Sequence, residues 1–135
     1  MTRVIVVADG GPTLEVLTRT FYRLRGVEIV RHLSGRPPVE LIERLEPDLI
    51  FIDEMSCPTA CLEAVVRARQ AAPAAAIVVR AARPEAGWLG EALRAGADAV
   101  LPAVADARTL ELVLDEVLSA ARPPAVHNID PLLAA

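Results

Sequence analysis

A chain of 135 residues with a formal net charge of −4 has the length of one domain, and its acidity argues against a general affinity for nucleic acid, which depends on neutralising phosphates. Just over half of it is apolar but only 3% is aromatic, so the core has to be built from Val, Ile, Leu and Ala. No apolar run approaches the roughly 20 residues that span a bilayer and no signal-peptide pattern opens the chain, so a soluble, cytoplasmic domain without a membrane partner is expected.

Arg3 to Ala8 reads as a buried strand that ends in Asp9-Gly10-Gly11-Pro12, where the glycines allow a tight turn and Pro12 suits the opening of a helix. In that helix Leu14, Leu17, Phe21 and Leu24 share one face while Arg19 and Arg23 point the other way, and Gly26 stops it. Val27 to Arg31 is a short strand, and Val39 to Leu45 a short helix with a Glu40/Arg44 pair at favourable spacing. Then comes Asp48-Leu49-Ile50-Phe51-Ile52-Asp53, bounded by Pro47 and Pro58. This run is too short for a helix and reads as a fully buried parallel strand. Asp53 stands at its carboxyl end, where open α/β sheets bind ligands; the alternative role is to cap the next helix.

A helix follows from about Thr59 to Gln70, a strand from Ala75 to Arg80, a helix from Glu85 to Ala95 with Gly96 as its stop, and a brief strand from Ala99 to Leu101. Asp106 caps a last helix reaching about Ala121, with Leu110, Val113, Leu114 and Val117 facing inward. Five strands alternating with five helices imply βαβ units and a parallel sheet covered on both faces. The expected architecture is a flavodoxin-like (βα)5 three-layer α/β sandwich with strand order 2-1-3-4-5, which brings Asp9 and Asp53 to one cleft at the switch point. Residues 1–121 form this domain, and residues 122–135 a short tail beginning near Pro123-Pro124.

With Asp9 after the first strand, Pro47-Asp48-Leu49-Ile50-Phe51-Ile52-Asp53 ending the third and Ala95-Gly96-Ala97-Asp98 before the fifth, the sequence resembles the receiver domain of two-component response regulators over roughly residues 3 to 121. The resemblance implies that Asp53 corresponds to the phosphoacceptor, Asp9 to one of the acidic pair that holds Mg²⁺, and Met55 to the residue offering the metal a backbone carbonyl. A carboxylate that attacks a phosphoryl donor needs a divalent ion to neutralise the phosphoryl oxygens, and Mg²⁺ takes oxygen ligands. The family then uses Lys to screen the product and Ser or Thr to read it out.

This chain departs from that pattern at most of these positions. The first residue of the acidic pair is Ala8, the readout hydroxyl position is Ala81, the lysine position is Ala103 followed by Val104, and the aromatic switch position is Val100. All fourteen basic residues are arginine, so no lysine can serve. Pro58 comes one residue later than the family's usual proline. Arg80 could supply the missing positive charge, but strand alternation is expected to aim it away from the cleft. A weak Mg²⁺ site is therefore expected.

Other residues carry less. Cys57 and Cys61 have too few ligands nearby for a metal and read as small helix-cap and core thiols; His32 and His127 have no motif around them. Asp9-Gly10-Gly11 could cradle a phosphate through backbone N–H groups but reads first as a turn. On the last two helices, Leu112 projects opposite the buried stripe among Glu111, Asp115, Glu116 and Ser119, and Trp88 sits at the edge of its helix's buried face. Together they mark a surface for a protein partner or a homodimer.

The leading reading is an atypical, non-enzymatic receiver that acts by binding another protein, a histidine kinase or a downstream effector, with Asp53 phosphorylated poorly or not at all. The alternatives are a working phosphoacceptor served by a histidine kinase, and a flavodoxin-like small-ligand domain using the Asp9-Gly10-Gly11 loop.

Overall fold

The computed structural model describes residues 1–8, 12–24, 26–34, 36–53, 58–81, 86–102 and 107–121. Asp9, Met55, Cys57, Ala103, Val104, Asp106 and the tail 122–135 lie outside them, as do the side chains of Leu14 and Leu17. The elements run β1 (Thr2–Val7), α1 (Pro12–Arg23), β2 (Val27–Leu33), α2 (Val39–Leu45), β3 (Leu49–Asp53), α3 (Pro58–Ala71), β4 (Ala76–Ala81), α4 (Ala86–Ala95), β5 (Ala99–Pro102) and α5 (Ala107–Ala121). Their ends differ by a residue or two from the periodicity-based bounds. All strands pair in parallel in the order β2-β1-β3-β4-β5, the flavodoxin-like order expected from the alternation of elements.

Strand alternation divides the interior into two cores. Ile5 and Val7, Ile50 and Ile52, and Ile77 and Val79 point to one side, where Ile42 of α2, Ala64, Val65 and Ala68 of α3 and Ala92 of α4 cover them. Val4 and Val6, Leu49 and Phe51, and Ala76 and Val78 point to the other, under Phe21 of α1 and Leu110, Leu114 and Val117 of α5. The two phenylalanines of the chain meet there edge to face, ring centroids 5.4 Å apart, an arrangement the ring quadrupoles favour. β3 is buried along its whole length, which is why its sequence is a continuous apolar run rather than an alternation.

The amino edge of the sheet is closed by two aspartates in the same role. Asp48 donates its backbone N–H to the Arg3 carbonyl (2.8 Å) and accepts the Arg3 N–H on its carboxylate (2.9 Å). Asp98 does the same with Ile77, at 2.7 and 2.8 Å. Each carboxylate thus caps a strand-end donor that the parallel ladder leaves over. Arg69 reinforces this edge: its guanidinium donates to the carbonyls of Gly96, Pro73 and Ala75 and forms an ion pair with Asp98. Gly96 ends α4 at φ +127°, and a Cβ there would lie 2.9 Å from Arg69 Cγ, so this stop requires glycine on two counts.

Candidate functional site

The carboxyl edge is built differently. Asp53, the last residue of β3, is 5% exposed, and among the described residues it is the buried charged side chain. A carboxylate loses most of its hydration at such a position and must recover the energy from a partner. That partner is Arg80, whose Nε donates to Asp53 Oδ1 at 2.7 Å, with the two side chains 15% and 7% exposed.

This overturns the expectation that Arg80 points away from the cleft. Asp53 and Arg80 are opposite one another in the β3–β4 register, and residues so paired in a parallel ladder present their side chains to the same side of the sheet. Counting alternation along β4 alone gave its direction relative to Ala81 but not relative to β3. A sequence signal did exist: Arg80 is the one charged residue in Ala76–Ala81, and a charge within a buried strand calls for a counter-charge.

Among the described residues, the helper positions assigned from the sequence carry apolar side chains. Ala8, just past β1, packs in the core under α1 and α5, and Ala81 is also buried. Val100 is half-buried against the opposite core. Asp9, Met55 and Ala103, the remaining residues assigned to this edge from the sequence, fall outside the described residues. No group of three or more His, Cys, Asp or Glu that could hold a metal occurs among the described residues. Mg²⁺ demands a near-octahedral set of oxygens, whereas the described part of this edge offers one carboxylate already bonded to a cation.

The second feature lies along the β5 edge. Leu112 is 58% exposed on α5 and Leu93 51% exposed on α4. Trp88 is half-buried and packs against the core beneath α2, α3 and α4, so it offers a surface only part of its ring. Between β5 and α5 runs a groove of about 370 Å³ lined by Val100, Leu101, Val113 and Val117 with Asp98 and Glu116. No motif or period marks this groove, because it is formed between two elements and belongs to neither.

No family model and no curated protein matches the sequence. Solved structures do. The CheY-like response regulator receiver domain protein of Methanospirillum hungatei matches with a TM-score of 0.75 at 19% identity, covering 90% of this chain and 96% of that one. The chain has the fold of a response-regulator receiver domain. The receiver fold is shared more widely: a protein assigned to pilus assembly (cpaE) in Burkholderia thailandensis matches with a TM-score of 0.73 at 24% identity over 88% of this chain and 99% of that one. A response regulator of Burkholderia pseudomallei, solved with a phosphorylated aspartic acid, a calcium ion and citrate, matches with a TM-score of 0.72 at 18% identity over 96% and 75%. Among the described residues of this receiver-fold chain, no helix is long and apolar enough to cross a membrane.

Proposed function

We propose that this chain is an atypical receiver in phosphorelay signal transduction that works by binding another protein, without enzymatic activity and with Asp53 phosphorylated poorly or not at all. The observation that carries this reading is the buried ion pair of Asp53 with Arg80. A carboxylate that donates electron density to a short, charge-assisted hydrogen bond is a poor nucleophile, and its approach is closed on the side that the guanidinium covers. With Ala8 in place of an acid and Ala81 in place of a hydroxyl, little is left to bind a metal firmly or to read a phosphoryl group. A ligand shifts a two-state element only through contacts that differ between the states.

Function then rests on surface contacts. The exposed Leu112, the edge of Trp88 and the groove beside α5 favour a protein partner on the α4–β5–α5 face, whether a histidine kinase, a downstream effector or a second copy of the chain, in the cytoplasm. Residues 1–121 are the working domain and residues 122–135 an appended tail. The test is incubation with Mg²⁺ and acetyl phosphate or beryllofluoride, followed by intact mass and amide spectra. An unchanged mass, or a modified chain with unshifted α4 and α5 resonances, is expected. Stoichiometric phosphorylation with large shifts in those helices would instead make the chain a working phosphoacceptor.

A further inference from the structure

We infer that Arg80 is a tethered counter-cation: its guanidinium takes the electrostatic place beside Asp53 that a divalent ion would need, and its charge keeps such an ion out. This deepens the reading above by naming what silences the carboxylate. Three observations carry it.

The first is position. Arg80 projects from β4, which is hydrogen-bonded on both sides by β3 and β5, so the cation is held at Asp53 by the sheet itself. A soluble ion pays for its immobilisation each time it binds, whereas a side chain fixed by the fold pays during folding. The second is geometry. Nε lies 2.7 Å from Oδ1 with little solvent on either side chain, so the carboxylate has its counter-charge without any ion. The third is Coulombic. A divalent cation on the same carboxylate would stand within a few ångströms of the guanidinium, where partial burial leaves the like-charge repulsion poorly screened. Among the described residues at this edge, Ala8 adds no carboxylate that would offset that repulsion.

The charge of Arg80, not its bulk, is then the barrier, and this can be separated experimentally in the full chain. Arg80→Gln removes the charge and keeps an N–H donor for Asp53; Arg80→Lys keeps the charge. With Mn²⁺ as the probe, followed by calorimetry and water-proton relaxation, Arg80→Gln is expected to bind at least about tenfold more tightly than wild type. Arg80→Lys is expected to stay at the wild-type level, and Arg80→Gln combined with Asp53→Asn to lose the gain. An Arg80→Gln chain no tighter than wild type, or an Arg80→Lys chain that gains as much, overturns the inference. Should Arg80→Gln fail to fold, the wild-type unfolding midpoint in a Mg²⁺ series decides. No shift is the expected result, and a rise abolished by Asp53→Asn overturns the inference. Phosphorylation of the wild type would refute the functional reading instead, so the two failures are distinguishable.

Discussion

The two edges of one sheet treat their carboxylates in opposite ways. At the amino edge Asp48 is half-buried and Asp98 exposed, each tied to a neighbouring strand by a reciprocal pair of bonds, and Asp98 is further held by an arginine that spreads over several carbonyls. At the carboxyl edge Asp53 is buried and paired with a single arginine, beside alanines where chemistry would need polar groups. The first arrangement is explained fully by what the backbone needs. In the second the carboxylate satisfies no strand-end donor among the described residues, and its counter-ion offsets a burial cost that an apolar residue would never incur. Among the described residues the bond that Asp53 makes is to another side chain, Arg80, and not to the backbone of a neighbouring strand.

The sharpest way to break that comparison is to remove one member of the buried pair. Arg80→Ala strands a carboxylate in the interior and is expected to cost about 3–5 kcal/mol in chemical denaturation. Replacing both, Asp53→Leu with Arg80→Met, should return stability to within about 1 kcal/mol of wild type, because apolar groups of similar volume serve a buried position as well as an ion pair does. If the double variant is as unstable as the single one, the pair does hold the fold and the two edges are alike.

At the amino edge the expected effect is smaller and has another cause. Gly96→Ala places a β-carbon 2.9 Å from Arg69 Cγ at a φ of +127°, and should cost about 2–3 kcal/mol in strain and displaced packing. Arg69 can yield only by giving up its bonds to Gly96, Ala75 and Asp98. The double variant Gly96→Ala with Arg69→Ala should therefore cost less than the sum of the two single changes, because both act on the same contacts. Strict additivity, measured by thermal or urea unfolding, would show that the glycine and the arginine act separately.

How far the sequence foretold these features depends on whether they are local. The run from Leu49 to Asp53, the face holding Phe21 and the inward stripe of Leu110, Leu114 and Val117 follow from period and composition, and the structure places them in the cores as expected. Asp53 at the end of β3 was equally legible, since an acid closing an apolar run needs no partner to be noticed. Arg80 was not. Its direction is fixed by the β3–β4 register, a relation between segments about 27 residues apart that no period within either segment encodes. The aspartates of the amino edge were visible as residues, and the Ala-Gly-Ala-Asp stretch as part of the family resemblance, but their bonds were not: in the structure Asp98 caps Ile77 and Gly96 clears space for Arg69. The groove between β5 and α5 left no trace in the sequence, because it is the gap between two elements and belongs to neither.

The smallest effect on stability belongs to the residue proposed to matter most for partners. Leu112 and Leu114 are two residues apart on α5, one 58% exposed and the other 3%, so they compare burial at fixed chemistry. Leu114→Ala opens a cavity beneath the helix and should cost about 2–5 kcal/mol. Leu112→Ala removes a side chain that solvent already surrounds, and should stay within about 0.5 kcal/mol of wild type. An interface anchor behaves the other way: truncating one commonly costs about 2 kcal/mol of binding, some thirtyfold in affinity. Sedimentation equilibrium of the full chain reads the second-copy form of this proposal directly. Self-association that weakens in Leu112→Ala while the unfolding midpoint holds would place the contact on the outer face of α5. If Leu112→Ala instead lowers the midpoint as Leu114→Ala does and leaves association unchanged, Leu112 contributes to the core and the α4–β5–α5 face loses its main support as the docking surface.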